Sequence, residues 1–410
     1  MNSFTESVKQ ILIDNYIPML YIIPIIVLLC VIIIYFSRWR DYRLPQRIAK
    51  RKVTSGADTE EKIWPKLSII VPANEQADLL AVNLPKLLDQ VYPNFEVIVV
   101  DETSTDETAE LIKQLQLKYR NLRRTFVPLT ATDICKRKLS ITLGVRAARS
   151  EWAIITTAAA TPVSRLWLQK IAEEIEDGVD IIMGYSNYQD DDSDLSHRAI
   201  FERFWNQLRC FSAAEKGIAI GGDETCFCVR KSAFLDHKGY ADKLQNDFGE
   251  SHLLIQTLAE KNNTRLALAP EAKITEELPI DILWRNSRIY FRETLRHSSK
   301  KTHLYLLREG IASSLIFACI FCFCMYIAIR CFQLLSVCDY NLNYLYIDGI
   351  MLVLLASFVI LPLSMFRRCT TMLNEQISIG RMMGYALTRP FTNLSLKCQR
   401  WKLRKEFARN

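Results

Sequence analysis

The sequence predicts an α/β protein with a mostly parallel sheet, tethered by three transmembrane helices. Three observations lead there. Short apolar β runs alternate with helical stretches from Lys66 to about Pro270, the pattern of a parallel sheet covered on both faces. Two of those runs, KLSIIVPANE and FEVIVVDETSTDET, end in polar or acidic turns. Three long apolar runs flank this region, one before it and two after.

The first run, Ile17 to Phe36, has 20 residues and no charge, which is the length of a bilayer core as a helix. It lacks a basic leader and a small-residue cleavage site, so it reads as a retained anchor. Residues 1–16 precede it with Lys9 as their one basic residue, whereas Arg38, Arg40, Arg43, Arg47, Lys50, Arg51 and Lys52 follow. The positive-inside rule then puts the N-terminus outside and the main domain in the cytoplasm. Residues 37–65 form a basic juxtamembrane linker.

The domain is expected over residues 66–278. Strands are predicted at Leu67–Val71, Phe95–Val100, Arg124–Val127, Trp152–Thr157, Val179–Met183, Phe227–Arg230 and Leu266–Ala269. Helices are predicted at Leu79–Gln90, Asp106–Tyr119, Lys138–Ala148, Ser164–Ile175, Asp194–Ser212 and Glu250–Lys261. Ser104 or Thr105 is the expected cap of the second helix, with Asp106 and Glu107 at its positive end. Residues 279–308 interleave Ile282, Leu283, Ile289 and Phe291 with Arg285, Arg288 and Arg292, the composition of amphipathic helices at a membrane interface. Transmembrane helices follow at 309–334 and 350–366, joined by an extracytoplasmic loop at 335–349. The tail, 367–410, holds ten Lys/Arg against Glu375 and Glu406. Such a tail beside an apolar run suits anionic lipid rather than nucleic acid.

Of the 12 cysteines, Cys319, Cys322, Cys324, Cys331 and Cys338 lie in or beside one apolar run and read as small apolar residues. Unpaired thiols, as in a reducing compartment, are expected throughout. The five histidines show no ligand spacing.

Ligands of open α/β sheets sit beyond the carboxyl ends of the strands, which singles out Asn74, Glu75 and Asp101, with Glu102 following. A lysine-headed helix at Lys138 adds positive charge nearby. The stretches SIIVPANE, QVYPNFEVIVVDETSTDET, KLSITLGVRAARSEW, TPVSRLW and RKSAF, with the acidic patch at Asp247–Glu250, together resemble a known family. They are similar to the family 2, A-type (GT-A) nucleotide-sugar glycosyltransferases of the membrane-anchored bacterial branch. The likeness covers roughly Lys66 to Leu307.

That resemblance implies a GT-A-like nucleotide-sugar-binding domain, an inverting sugar transfer, and a lipid-linked or polysaccharide acceptor. It implies that Pro72, Asn74 and Glu75 line the nucleotide pocket, that Asp101 binds the uracil or ribose, and that Lys138 lies near the base or diphosphate. It places the catalytic base at Glu250 or Asp247, and a diphosphate or acceptor motif at WRNSR, with Trp284, Arg285 and Arg288. Trp284 equally suits an interfacial anchor. The family's cation-binding D-x-D falls on Thr157 and Ala159, so the carboxylates for a divalent cation (Mg or Mn) are missing. Lys136, Arg137, Lys138, Arg285 and Arg288 are candidate clamps in its place. Asp223 and Glu224, in GGDET, are candidate stand-in carboxylates. A second reading is an impaired relative that binds nucleotide-sugar or serves as a scaffold for a partner glycosyltransferase. A third is a structural membrane protein without a ligand.

Overall fold

The computed structural model describes residues 21–37, 39, 41–54, 64–131, 134–244, 249–336 and 342–407. The chain divides into two units, Met1–Arg43 with Leu304–Cys369, and Leu44–His303 with Thr370–Asn410.

The first unit is helical. α1 is described over Tyr21–Ser37, the part of the first predicted span within the described residues. After the second unit's main body come α11 (Lys300–Ser336) and α12 (Leu342–Met372). Both are long and apolar enough to cross a membrane. They extend beyond the predicted spans because helix propagation continues once the turns are formed. Val27, Cys30, Ile34, Cys319, Phe323, Met351 and Leu354 pack together between the three helices. The charge inside α11 has a partner across the pair: Arg330 Nε and Nη2 donate to the Asp348 carboxylate at 2.8 and 2.6 Å.

The second unit starts with α2 (Leu44–Thr54). It continues β1 (Leu67–Ala73), α3 (Ala77–Leu88), β2 (Phe95–Asp101), α4 (Thr108–Lys118), β3 (Leu122–Phe126), α5 (Lys136–Ala147) and β4 (Trp152–Ile155). Then come β5 (Thr161–Pro162), α6 (Trp167–Ala172), β6 (Ile181–Gly184), β7 (Ser186–Tyr188), α7 (Asp194–Ala214), β8 (Phe227–Arg230) and α8 (Lys231–Asp236). It closes with α9 (Glu250–Leu258), β9 (Thr264–Ala267), β10 (Ile274–Glu276), α10 (Asp281–Thr294) and, beyond the first unit's helices, α13 (Ile379–Phe407).

Seven strands form one sheet in the order β3-β2-β1-β4-β8-β6-β9. Only β8 runs antiparallel to its neighbours β4 and β6, so the sheet is mostly parallel, as the alternating pattern predicts. All seven residues of β1 are buried; a strand covered on both faces needs the continuous apolar run that the sequence shows. Leu67, Ile69 and Val71 meet Leu80, Leu84 and Leu87 of α3 in the main core. Burying each such side chain stabilises the fold by about 1.5–3 kcal/mol. The strand order reverses between β1 and β4, which opens the crevice where ligands of such sheets lie.

Three features depart from the predicted elements. A second sheet, β5-β10-β7, is built from strands of two or three residues, too short to show a period. α4 begins at Thr108 rather than Asp106, and Asp106 accepts the Thr108 N–H at 3.1 Å; Ser104 is engaged elsewhere, as described below. The stretch 279–308 divides into α10, a turn at Leu295–His297, and the start of α11. On α10, Trp284 and Ile289 are buried, while Ile282, Leu283 and Tyr290 are exposed.

The chain after α12 returns to complete the second unit. Lys273 Nζ pairs with Glu375 at 2.7 Å, and Tyr185 donates its hydroxyl proton to the same oxygen at 2.7 Å. Arg389 of α13 pairs with Glu202 of α7 at 3.2 Å, and Tyr385 lies 5.6 Å from the Phe201 ring. The basic tail is therefore partly an internal helix, with Arg389 spent on a buried carboxylate.

Candidate active site

β1 and β2 end level, with Ala73 opposite Asp101. Beyond Ala73 the exposed Asn74 and Glu75 form the first loop tip. Glu75 adopts a left-handed φ of 52°; its N–H donates to Ser104 Oγ at 3.0 Å, and its carboxylate accepts Thr105 Oγ1–H at 2.9 Å. The two strand-end loops are thus tied side chain to backbone. Asp101 is buried, accepting the Ser104 N–H at 2.8 Å and Arg124 Nη2 at 2.6 Å. Glu102 is also buried and accepts Ser140 Oγ–H at 2.7 Å.

The three consecutive cations that open α5 divide between surface and core. Lys138 is fully buried. Lys136 Nζ donates to Thr103 Oγ1 at 3.0 Å, and Arg137 Nη1 donates to the Pro72 carbonyl at 3.0 Å. The helical turn thus brings Lys136 and Arg137 onto the loops at the strand ends.

An acidic pair stands beside them. Gly221 and Gly222 let the loop before β8 press against α9: a Cβ on Gly222 would lie 2.1 Å from Ile255 Cδ1, and one on Gly221 2.3 Å from His252 Nδ1. That approach brings Glu224 within electrostatic reach of Glu250, the first residue of α9. Burial, then the Glu250 charge, hold Glu224 well above the usual carboxyl range, with Arg137 opposing. Glu250 is 8% exposed. Its Oε1 accepts the Cys135 thiol at 3.7 Å, and burial pushes that thiol up, so it stays a donor. Tyr240 donates to the Glu250 carbonyl at 3.0 Å. His252 is pushed down to about 4 by burial, against the pull of Asp223 and Glu250; it is therefore neutral and accepts the Gly222 N–H at 3.2 Å. Asp247 lies outside the described residues.

Past β4, Thr157 and Ala159 are partly exposed, whereas Ala158 and Ala160 are buried in the core. The two D-x-D positions thus share the open side. Thr157 Oγ1 donates to Glu276 Oε2 of β10 at 3.3 Å. Glu276 also pairs with Arg203 of α7 and accepts Thr225 Oγ1–H at 2.9 Å. Asp223 grips the same guanidinium at two points, Nε at 3.0 Å and Nη2 at 2.7 Å. Burial raises the Asp223 carboxyl, but Arg203 more than offsets it and holds it below the usual range. A divalent cation needs free carboxylate oxygens. Here Thr157 and Ala159 offer none, and the carboxylates that arrive are already bound by an arginine, so the donor set does not fit the family's metal.

The late motif is spread along α10. Trp284 is buried, with Arg288 stacked over its ring at 5.0 Å and paired with Glu202 at 3.1 Å. Arg285 is exposed and pairs with Asp281 one turn earlier at 2.8 Å. The structure also gathers Asp190, Asp192 and His197 with their ligand atoms within 4.8 Å of one another, the one such group among the described residues. His197 has no recognisable ligand spacing because Asp190 and Asp192 lie in a loop. Arg203 and Glu276 escaped the sequence reading too; they are 73 residues apart and carry no local motif. The 11 described cysteines are free, as expected.

Known proteins bear on this arrangement. Residues 68–237 match the sequence model of Glycosyl transferase family 2. A curated relative is the poly(ribitol-phosphate) beta-glucosyltransferase of Bacillus spizizenii, 36% identical over 59 residues, which are 14% of this chain and 9% of that protein. The chain therefore spans about a tenth of the relative it matches. Among solved structures, a mannosyltransferase from Pyrobaculum calidifontis in complex with GDP-Man and Mn2+ aligns with a TM-score of 0.48 at 16% identity, over 89% of this chain and 98% of that one. S. aureus TarS 1-349 in complex with UDP-GlcNAc aligns at 0.40 and 14% identity, over 80% and 92%. Residues 68–237 thus match the glycosyl transferase family 2 model, and their mostly parallel α/β sheet agrees with that match.

Proposed function

We propose that the chain is a membrane-anchored glycosyltransferase that moves a sugar from a nucleotide-diphosphate donor to a lipid-linked or polysaccharide acceptor, with inversion. One observation carries this reading: Arg137 joins the strand-end loops to the acidic pair. It donates to Pro72 at the end of β1 and lies within electrostatic reach of Glu224, the partner of Glu250. A donor seated on the loops of β1 and β2 would thus have its diphosphate beside Lys136 and Arg137 and its sugar toward Glu250. Asp101 and the loop at Asn74 and Glu75 hold the nucleoside. Glu250 takes the proton of an acceptor hydroxyl. The freed oxygen attacks the anomeric carbon from the face opposite the leaving group. The bond to the diphosphate breaks, and the nucleoside diphosphate departs with its electron pair. Attack from the opposite face is what inverts the centre.

The exposed Ile282, Leu283 and Tyr290 on α10 support an acceptor at a lipid surface, and α11 and α12 support anchoring. The domain and the tail both then lie on the cytoplasmic side. The test is calorimetric titration of the full chain in detergent with UDP- and GDP-sugars, followed by transfer assays on lipid-linked and glycan acceptors. Binding with turnover is expected. Binding without turnover on every acceptor would favour a scaffold role beside a partner enzyme, and no binding would sink the donor reading.

A further inference from the structure

We propose that Arg203 occupies the cation position of this site, so that the protein holds a fixed guanidinium where its family holds a divalent metal. The proposal deepens the donor-binding reading, and its first test stands apart from that reading.

The geometry is that of a built cation site. Asp223 arrives from the loop before β8 and Glu276 from the end of β10, both largely buried, at 10% and 14% side-chain exposure. Thr157, in the first D-x-D position, donates to the same Glu276 carboxylate. Two carboxylates converging beside that position are what a divalent ion requires. What they enclose is a guanidinium. Arg203 Nε and Nη2 bind Asp223 side-on, Nη1 binds Glu276, and Nη2 also reaches Ser186 Oγ at 3.0 Å and Thr225 Oγ1 at 2.8 Å. The Tyr188 ring covers one face, 4.4 Å from the guanidinium carbon. Arginine keeps its charge at any physiological pH, so this cation cannot be chelated away. Nη1 carries a second hydrogen that no acceptor among the described residues takes. A metal entering here would have to displace an ion pair made at two oxygens of Asp223 and one of Glu276.

Sequence chemistry fits the substitution. Losing both acids of D-x-D lowers the site's negative charge, which is needed once a divalent ion is replaced by a singly charged one. Asp223 and Glu276 then fix the arginine rather than ligate metal. Donor binding is accordingly insensitive to chelators.

The first test is Mn2+ titration of the full chain in detergent, read by electron paramagnetic resonance, on wild type, Glu276→Gln and Arg203→Met. Any Mn2+ on wild type should survive Glu276→Gln, as it would if held at Asp190, Asp192 and His197. Arg203→Met should gain one Mn2+ that a further Asp223→Asn removes. Wild-type Mn2+ lost in Glu276→Gln overturns the proposal, as does a folded Arg203→Met that gains none. The second test needs no variant: nucleotide titration of wild type in EDTA and in Mn2+. Affinities within about twofold are expected, and a tenfold tightening by Mn2+ overturns the proposal even where the variants fail to fold. If no nucleotide binds in either buffer, the donor reading falls, while the Mn2+ titration still decides the occupant.

Discussion

Glu224 lies within electrostatic reach of Glu250, the first residue of α9, and the Glu250 charge adds to burial in raising the Glu224 carboxyl. Two such groups this near each other cannot both be ionised cheaply. Glu224, raised by burial and by its neighbour, is the one that keeps the proton.

Glu224 gives a pH signature. Its folded pKa lies above the unfolded one, so its contribution to stability is complete below the ordinary glutamate range. That contribution is lost as pH rises through the raised folded value. Glu224→Gln, which is neutral throughout, should melt at least about 2 °C above wild type at pH 8 and match it near pH 4. Thermal melts across that range check this; a difference that does not grow with pH counts against a protonated Glu224.

Glu250 separates chemistry from binding. Glu250→Gln removes the proposed base and keeps the shape, so turnover should fall by roughly 10²–10⁴-fold while nucleotide affinity stays within about threefold. Single-turnover rates and calorimetry read the two quantities separately. Unchanged turnover would remove Glu250 from the reaction.

Asp101 tests the nucleoside end. Asp101→Asn leaves Arg124 without its ion partner and weakens the acceptor offered to the donor. Hydrogen bonds to charged groups contribute about 1.5–3 kcal/mol, so nucleotide affinity should drop about 10–100-fold. The maximal rate at saturating donor should change far less.

Gly222 tests how the acidic pair is assembled. Gly222→Ala puts a methyl 2.1 Å from Ile255 Cδ1, and such overpacking costs about 1–3 kcal/mol. Ile255→Val deletes that Cδ1 atom. In the double variant the two losses should not add, and a double-mutant cycle by chemical denaturation measures the coupling. Full additivity would show that the contact is relieved some other way.

Much of the domain is legible in the sequence because parallel strands buried on both faces must be apolar throughout. Phe227–Arg230 is read to the residue. The second sheet is not legible, since strands such as Thr161–Pro162 carry no pattern. Among the candidate site residues, Asp101 and Glu250 announce themselves by standing at the end of an apolar strand and at the head of a helix. The burial of Lys138 does not: nothing in three consecutive cations says which of them is enclosed. Arg203 is invisible for a different reason. It sits in mid-helix among other charges, and only tertiary packing brings Asp223 and Glu276 to it.

The ion pair between Lys273 and Glu375 bears on biosynthesis. The domain that holds the candidate site is interrupted by some sixty residues of the helical unit, and Glu375 and Arg389 emerge from the ribosome only after those helices. Until then Lys273 and Glu202 are without these counter-charges. Chains fold as their segments are made, so the domain is finished last, from its C-terminal end. A chain released before residue 375 would carry every strand of the sheet and still expose the face on which α13 belongs.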